Sequence, residues 1–245
     1  GMSGLARIAL SHGITVSGSD AKDSSVVIAL SALGATVSTS HNASHVDGAD
    51  LVVYSTAISA NNPERVRAAE LEIPILTRAA ALAVLMSESK SIAVAGTHGK
   101  TTTSSMLAVA LQACGADPSF AIGGTITASG SNAHRGTGEI FVAEADESDG
   151  SFIEYNPFAA IVTNVEHDHV DFFPTPESVA QAFRDFVATI KPEGFLTYCA
   201  DDAGSAALAS TTKNLQLLSY GVSEGADLHI DHIELMTMGS TARAV

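Results

Sequence analysis

The sequence predicts an α/β protein built from two successive parallel-sheet units, and three observations carry that expectation. Over residues 1–88, short helical stretches alternate with short runs of β-branched and apolar residues, as in strands joined by helical crossovers. At 91–103 the run SIAVAGTHGKTTT reads as a buried strand and a glycine-containing loop, and 104–112 continues as a helix. Two later apolar strands, at 140–143 and 159–163, each end in a dense cluster of charge.

Taken in order, a helix at 5–12 leads to a strand at 13–18 that ends at Ser19 and Asp20. A helix at 24–33 and a strand at 35–38 precede a loop with His41 and His45, and a strand at 51–54 ends at Ser55 and Thr56. Pro63 opens a helix over 63–70, where its missing N–H costs nothing, and a strand follows at 74–76. This alternation implies one parallel sheet with helices on both faces, in which ligands sit beyond the carboxyl ends of the strands. That rule selects Asp20, His41, Ser55 and Thr56 as candidate ligand contacts. An acidic residue after a strand and a Gly-x-x-Gly turn also suits the ribose of a dinucleotide, so a nicotinamide-dependent oxidoreductase is a competing reading.

A helix over 78–87 joins the halves, and a boundary at 88–90 divides the chain into domains 1–88 and 89–245. The second unit adds strands at 120–122, 195–198 and 215–219. A half-exposed strand follows at 227–235, whose His229 and His232 read as surface residues. Both ends look cut: residues 1–4 form a glycine-rich turn with no strand before it, and 239–245 stops without a closing element.

Composition limits the possible partners. Of the 245 residues 46% are hydrophobic and 16% charged, which fits a folded protein with a real core. A balance of 12 Lys+Arg against 27 Asp+Glu, a net charge of −15, argues against nucleic acid or an anionic membrane surface as partner. Cys114 and Cys199 match no metal or redox spacing and suit a reducing compartment. The longest apolar run, 79–86, is too short to span a bilayer, so the expectation is a cytoplasmic protein without membrane insertion.

The loop at 96–101 carries the first chemistry. Gly96 and Gly99 let backbone N–H groups close on phosphate oxygens, Lys100 adds a full positive charge, and the Thr101 hydroxyl stands where it would coordinate Mg2+. The loop is shorter than the usual phosphate-binding pattern, because Val94 occupies the place of its first glycine. Glu144, Asp146, Glu147 and Asp149 crowd one strand end and would repel one another unless a cation such as Mg2+ lies among them. Glu166, His167, Asp168, His169 and Asp171 crowd the other and suggest a second cation, for which Mn2+ suits imidazole better. Spacing does not choose between His167 and His169. Two cations beside a nucleotide imply phosphoryl transfer or ATP-driven ligation.

GTHGKTTT at 96–103, EADESD at 144–149 and NVEHDHVD at 164–171 together resemble the Mur ligase family. The ordered pieces at 1–4, 19–20, 55–58 and 62–63 extend the likeness over the whole chain. Within that family it looks most similar to the ligases that join L-alanine to UDP-N-acetylmuramate in peptidoglycan precursor synthesis. The resemblance implies a truncated Rossmann-like N-terminal domain that binds the UDP-sugar, followed by a P-loop-type parallel-sheet ATPase domain. It assigns ATP to Gly96, Thr97, His98, Gly99, Lys100, Thr101 and Thr102, and Mg2+ (or Mn2+) to Thr101, Glu144 and His169. Lys100, Glu144 and His169 become the catalytic set; Asp20, His41 and Ser55 become substrate contacts, with Gly123, Gly124 and Arg135 nearby. The implied reaction runs through an acyl phosphate on the lactyl carboxylate, which the alanine amine then attacks.

Ligases that reattach recycled tripeptide to the same carrier share the loop but tend to carry tyrosine where Ser148 stands, which favours the alanine-adding branch. Family members also carry a strand before the first helix and a third domain after the ATPase domain. The resemblance therefore implies a chain without its C-terminal ligase domain and with little turnover alone, and leaves a nucleotide-binding module as the alternative.

Overall fold

The computed structural model describes residues 1–127, 129–237 and 239–245. The predicted alternation is present in the first third: α1 (Met2–Ser11), β1 (Ser17–Ser19), α2 (Ser25–Ala32), β2 (Thr36–Ser38), β3 (Val52–Tyr54), α3 (Pro63–Glu70), β4 (Ile75–Thr77) and α4 (Arg78–Met86). Polar side chains start α2, α3 and α4 by accepting otherwise orphaned N–H groups. Ser24 accepts from Val27, Asn62 from Glu64 and Arg65, and Thr77 from Ala80.

The single sheet expected here does not form among the described residues. β1 pairs only with β2 and β3 only with β4, each in parallel. Helices α2 and α3 supply the crossovers within each pair. The connection from β2 to β3 instead runs through a single 3-10 turn, Ala43–Val46, and lacks the helix that normally returns a parallel strand beside its neighbour.

The remaining residues build one sheet of nine strands. Its elements are β5 (Lys90–Ala95), α5 (Lys100–Ala113), β6 (Ser119–Ile126), β7 (Ser131–His134), β8 (Ile140–Glu144), β9 (Ala159–Val162), α6 (Pro176–Ala188), β10 (Phe195–Cys199), α7 (Ala203–Thr211), β11 (Gln216–Gly221), β12 (Leu228–Met236) and β13 (Gly239–Ala244). The strand order is β13-β12-β11-β10-β9-β5-β8-β6-β7, parallel except where β7 and β13 turn back at the two edges. The tail expected to stop without a closing element therefore forms β13. Its GSTARA sequence has no apolar alternation and all six residues are exposed, so only the ladder with β12 makes it a strand. β7, α6 and α7 also go beyond the sequence reading, although α6 carries a Thr175–Ser178 capping box and a proline in its first turn.

Two apolar clusters cover the two faces of this sheet. Along β8, Phe141 and Ala143 join one cluster and Val142 the other, the two-residue alternation of a strand. Ala108 of α5 packs with Phe120, Ile122, Ile126 and Val142. In the larger cluster Phe152 stacks on Phe186 at 4.8 Å and meets Phe183 edge-on at 5.4 Å. Leu5 and Ile8 of α1 and Ala79, Leu82 and Met86 of α4 belong to that same cluster. The joining helix is thus a core element of the large sheet as well as a connection.

Strand β5 lies between β8 and β9, with Val94 opposite Glu144 and Ala95 opposite Val162. The chain leaves β5 for strands on one side and returns through β9 to build the other. The carboxyl ends of β5, β8 and β9 therefore open at one switch point, where ligands of such sheets bind.

Candidate active site

The loop after β5 is shaped by the loop after β9. Gly96 has φ +135°, and a Cβ there would fall 2.0 Å from Thr163 Oγ1. Asn164 clamps His98 from both sides, its Oδ1 accepting from His98 N at 2.8 Å and its Nδ2 donating to His98 O at 3.1 Å. The Thr163 hydroxyl donates to the same carbonyl at 2.6 Å, and the Thr97 hydroxyl bonds the backbone of Glu166. Gly99, at φ +83°, then caps α5 in the left-handed region. Thr103 N bonds Gly99 O at 2.9 Å, so the amides of residues 100–102 are those a helix start offers to outside acceptors.

Lys100 reaches back across this loop. Its Nζ donates to Gly96 O at 2.7 Å, Thr97 O at 3.2 Å and Glu147 Oε1 at 3.1 Å. Glu147 Oε2 lies 2.9 Å from the same nitrogen, yet no hydrogen bond is aligned on that buried oxygen. Burial pushes the Glu147 carboxyl above the ordinary glutamate range, against the opposing pull of Lys100. His169 stands on the far side of the carboxylate, with Nε2 at 3.4 Å from Oε1.

Glu144 serves a different partner. Its Oε1 accepts from the Thr101 hydroxyl at 3.0 Å and its Oε2 from Gly123 N at 2.8 Å. A Cβ on Gly123 would fall 2.6 Å from Glu144 Oε1, and one on Gly124 2.8 Å from Thr101 Cγ2, so the two glycines of β6 make room for the pair. The four carboxylates expected to share one cation are therefore dispersed. Asp146 accepts from Ser148 N, and Asp149 from Ser151 and from the Thr56 hydroxyl at 2.8 Å.

The second charged run divides likewise. His167 Nε2 donates to Phe173 O at 3.0 Å, Asp168 accepts from His169 N at 2.7 Å, and only His169 turns to the loop, meeting Glu147 rather than Glu144. Among the described residues no group of three or more His, Cys, Asp or Glu side chains is placed to hold a metal ion. The Thr101 hydroxyl and Glu144 carboxylate are the hard oxygens that fit Mg2+ beside phosphate, because that ion keeps water and phosphate among its ligands and needs few from protein.

In the first third, Glu64 is the hub. Its carboxylate accepts from Ser19 Oγ at 2.6 Å and from Asn42 N at 3.3 Å, and lies 2.8 Å from His45 Nδ1 and 3.4 Å from His41 Nδ1. Burial works against its charge, but these hydrogen bonds outweigh it and hold the carboxyl below the ordinary glutamate value. Since Ser19 spends its proton on Glu64, the His41 Nδ1 at 2.8 Å from Ser19 Oγ carries a proton, and in the neutral ring Nε2 is then the acceptor. Asp20 accepts from Lys22 N, and Ser55 caps its own turn through Ala57 N.

Arg135, expected near the substrate, holds the end of α1 with one of its five N–H donors. Its Nη1 donates to Ser11 O at 2.6 Å at the end of α1, because β7 returns beside that helix. Arg78 lines a cleft of about 140 Å3 with Leu5, Leu82, Gly123, Glu144 and Asp146. Burial works against its charge, and Tyr155, Asp146 and Asp149 outweigh that and hold its pKa above the usual arginine value.

Residues 94–245 match the family profile described as Mur ligase middle domain, and residues 1–90 match that of the Mur ligase family, catalytic domain. The chain belongs to the Mur ligase family. It is 57% identical over 209 residues to a UDP-N-acetylmuramate–L-alanine ligase of Nocardioides sp., covering 85% of this chain and 47% of that relative. It is 52% identical over 230 residues to the corresponding ligase of Renibacterium salmoninarum, covering 93% and 50%. The chain thus spans about half the length of these curated relatives. Among solved structures, a UDP-N-acetylmuramate:L-alanyl-gamma-D-glutamyl-meso-diaminopimelate ligase from Neisseria meningitides superposes with a TM-score of 0.88 at 28% identity, over 99% of this chain and 80% of that one. A UDP-N-acetylmuramate-alanine ligase from Thermotoga maritima gives 0.83 at 27% identity, over 99% and 55%.

Several residues gathered here were not singled out as individual contacts by the sequence. Glu64 sits in the first turn of α3, where an acidic residue already has a helix-dipole reason to be. Arg78 opens a helix and reads as a surface cation. Asn164 and Glu147 lie inside the two charged runs, but their partners follow only from the order of β5, β8 and β9 in the sheet.

Proposed function

We propose that this chain is the UDP-sugar-binding and ATP-binding part of a ligase that joins L-alanine to the lactyl carboxylate of UDP-N-acetylmuramate, in peptidoglycan precursor synthesis. The observation that carries the reading is the meeting of Lys100, Thr101, Glu144, Glu147 and His169 at the ends of β5, β8 and β9. The 57% identity to an enzyme of that name supports the choice of substrates. In this reading the chain divides near residue 88, with the UDP-sugar on the first part and ATP on the second.

The amides of residues 100–102 and the Lys100 ammonium receive the phosphate oxygens of ATP. Thr101 and Glu144 would hold Mg2+, whose chemistry there is to polarise and shield those oxygens as an anionic carboxylate approaches. His169 faces the same phosphates from across Glu147. Asp20, the free Nε2 of His41, and Ser55 contact the nucleotide-sugar. The cleft beside Arg78 and Glu144 receives the lactyl end and brings its carboxylate in line with the γ-phosphate, so that the new O–P bond forms as ADP leaves; the alanine amine then attacks the acyl carbon and expels phosphate to give the amide. No helix among the described residues is long and apolar enough to cross a membrane, and we infer a cytoplasmic location.

Titration calorimetry with UDP-N-acetylmuramate, MgATP and NADH tests the reading. Saturable binding of the first two without an NADH response is expected. An NADH response, or no binding of MgATP, refutes it. The superposition on the tripeptide ligase favours a second reading as a recycling enzyme, at half the sequence identity of the alanine ligases. Phosphate release that depends on tripeptide rather than on L-alanine decides for it.

A further inference from the structure

Among the described residues, Glu147 is the one Asp, Glu, Lys, Arg or His in the buried set, at 1% exposure. An ionised carboxylate in that position costs several kcal/mol unless it is paired. Its two nitrogen partners arrive from beyond two other strands: Lys100 from the start of α5 after β5 and His169 from the loop after β9. A turn closed by Gly150 N on Glu147 O at 2.8 Å fixes the backbone that presents it. All three loops of the switch point therefore converge on one carboxylate.

The pairing is more than neutralisation. Lys100 carries a long side chain with many rotamers, and fixing it before a ligand arrives removes the cost of ordering it from binding. Its nitrogen is held by Gly96 O, Thr97 O and Glu147, at the mouth of the loop whose amides face outward. Glu147 Oε2 stays close to that nitrogen without an aligned hydrogen bond, so the ammonium can swing toward an incoming phosphate and keep its counter-charge. For His169, a carboxylate facing Nε2 places the ring proton there in the neutral form and leaves Nδ1 as the lone pair.

We propose that Glu147 is a positioning residue of the phosphate site, holding the Lys100 ammonium and the His169 ring where they act on the nucleotide. This rests on the ATP-site reading above. The test is titration calorimetry of the full chain with MgATP and with AMP, with thermal unfolding of each variant as the fold control. Glu147→Gln, which keeps size and removes charge, is expected to weaken MgATP binding about tenfold, the scale of one charge-assisted hydrogen bond, and to leave AMP binding unchanged. Glu147→Asp, with the charge on a shorter arm, falls between. In a Lys100→Met background the Glu147→Gln loss shrinks, because the Lys100 contact is already gone and only the His169 contact is left to lose.

A loss equal for MgATP and AMP, or undiminished in the Lys100→Met chain, makes Glu147 merely structural and overturns the proposal. Should Glu147→Gln not fold, a folded Glu147→Asp chain that binds MgATP like the unsubstituted one overturns it as well. No MgATP binding by the unsubstituted chain overturns the ATP-site reading and this proposal together, which separates the two failures.

Discussion

Gly96→Ala tests how the phosphate loop is held. The position has φ +135°, and an added Cβ would lie 2.0 Å from Thr163 Oγ1 and 3.1 Å from both the N and O of Asn164. Backbone in that region costs a residue with a side chain about 1–3 kcal/mol. The overlap also displaces a hydroxyl that donates to His98 O at 2.6 Å, worth about 1 kcal/mol net. Together these predict a destabilisation of about 2–4 kcal/mol, together with a loss of MgATP binding, because His98 and the amides behind it move. Urea unfolding followed by circular dichroism reads the first and calorimetry the second.

Thr163→Ala is the control and should cost about 1 kcal/mol alone. The double variant should be less destabilised than the sum of the singles, since the smaller side chain removes the atom that the new Cβ strikes. A Gly96→Ala chain with unchanged stability and unchanged MgATP affinity would refute the account of this loop.

Three further expectations follow from other parts of the molecule. Phe186→Ala removes a fully buried ring stacked on Phe152 and should lower the unfolding free energy by about 3–5 kcal/mol without altering the ratio of ATP to ADP affinity. Thr101→Val keeps shape and deletes the hydroxyl opposite Glu144; it should abolish the gain in ATP affinity on adding Mg2+, measured as the ratio of titrations with the ion and with chelator. Glu64 has a folded-state pKa below its ordinary value of 4.5, so it contributes stability above that pH that is lost as pH falls through the folded value. Urea midpoints across the acid range should therefore fall less steeply for Glu64→Gln than for the unsubstituted chain.

The elements that sequence could locate are those whose cause is local. Helix α3 begins at Pro63 behind an Asn62 cap, and strand β5 is a run of small and β-branched residues ended by Gly96. Strand β13 had no such cause, since its residues are all exposed and its ladder partner is β12. The same difference separates the site residues. Thr101 and Lys100 were legible from their place after a strand and before a helix, whereas the contact of Arg135 with Ser11, 124 residues away, had no local cause.

The sequence by itself determined that a glycine-containing loop joins β5 to the start of α5 and that two charged runs end later strands, because a strand, a turn and a helix start are decided by adjacent residues. Only the tertiary structure decided which charge meets which. Glu147, 47 residues from Lys100, takes the ammonium, and Glu144, 43 residues from Thr101, takes the hydroxyl. Both lie in the same acidic run and could be exchanged on paper. Strand β8 beside β5 brings Glu144 level with Val94, at the last pair of that ladder, and the turn beyond sends Glu147 inward under Lys100. That choice depends on strand order and on burial, which no local pattern of residues encodes.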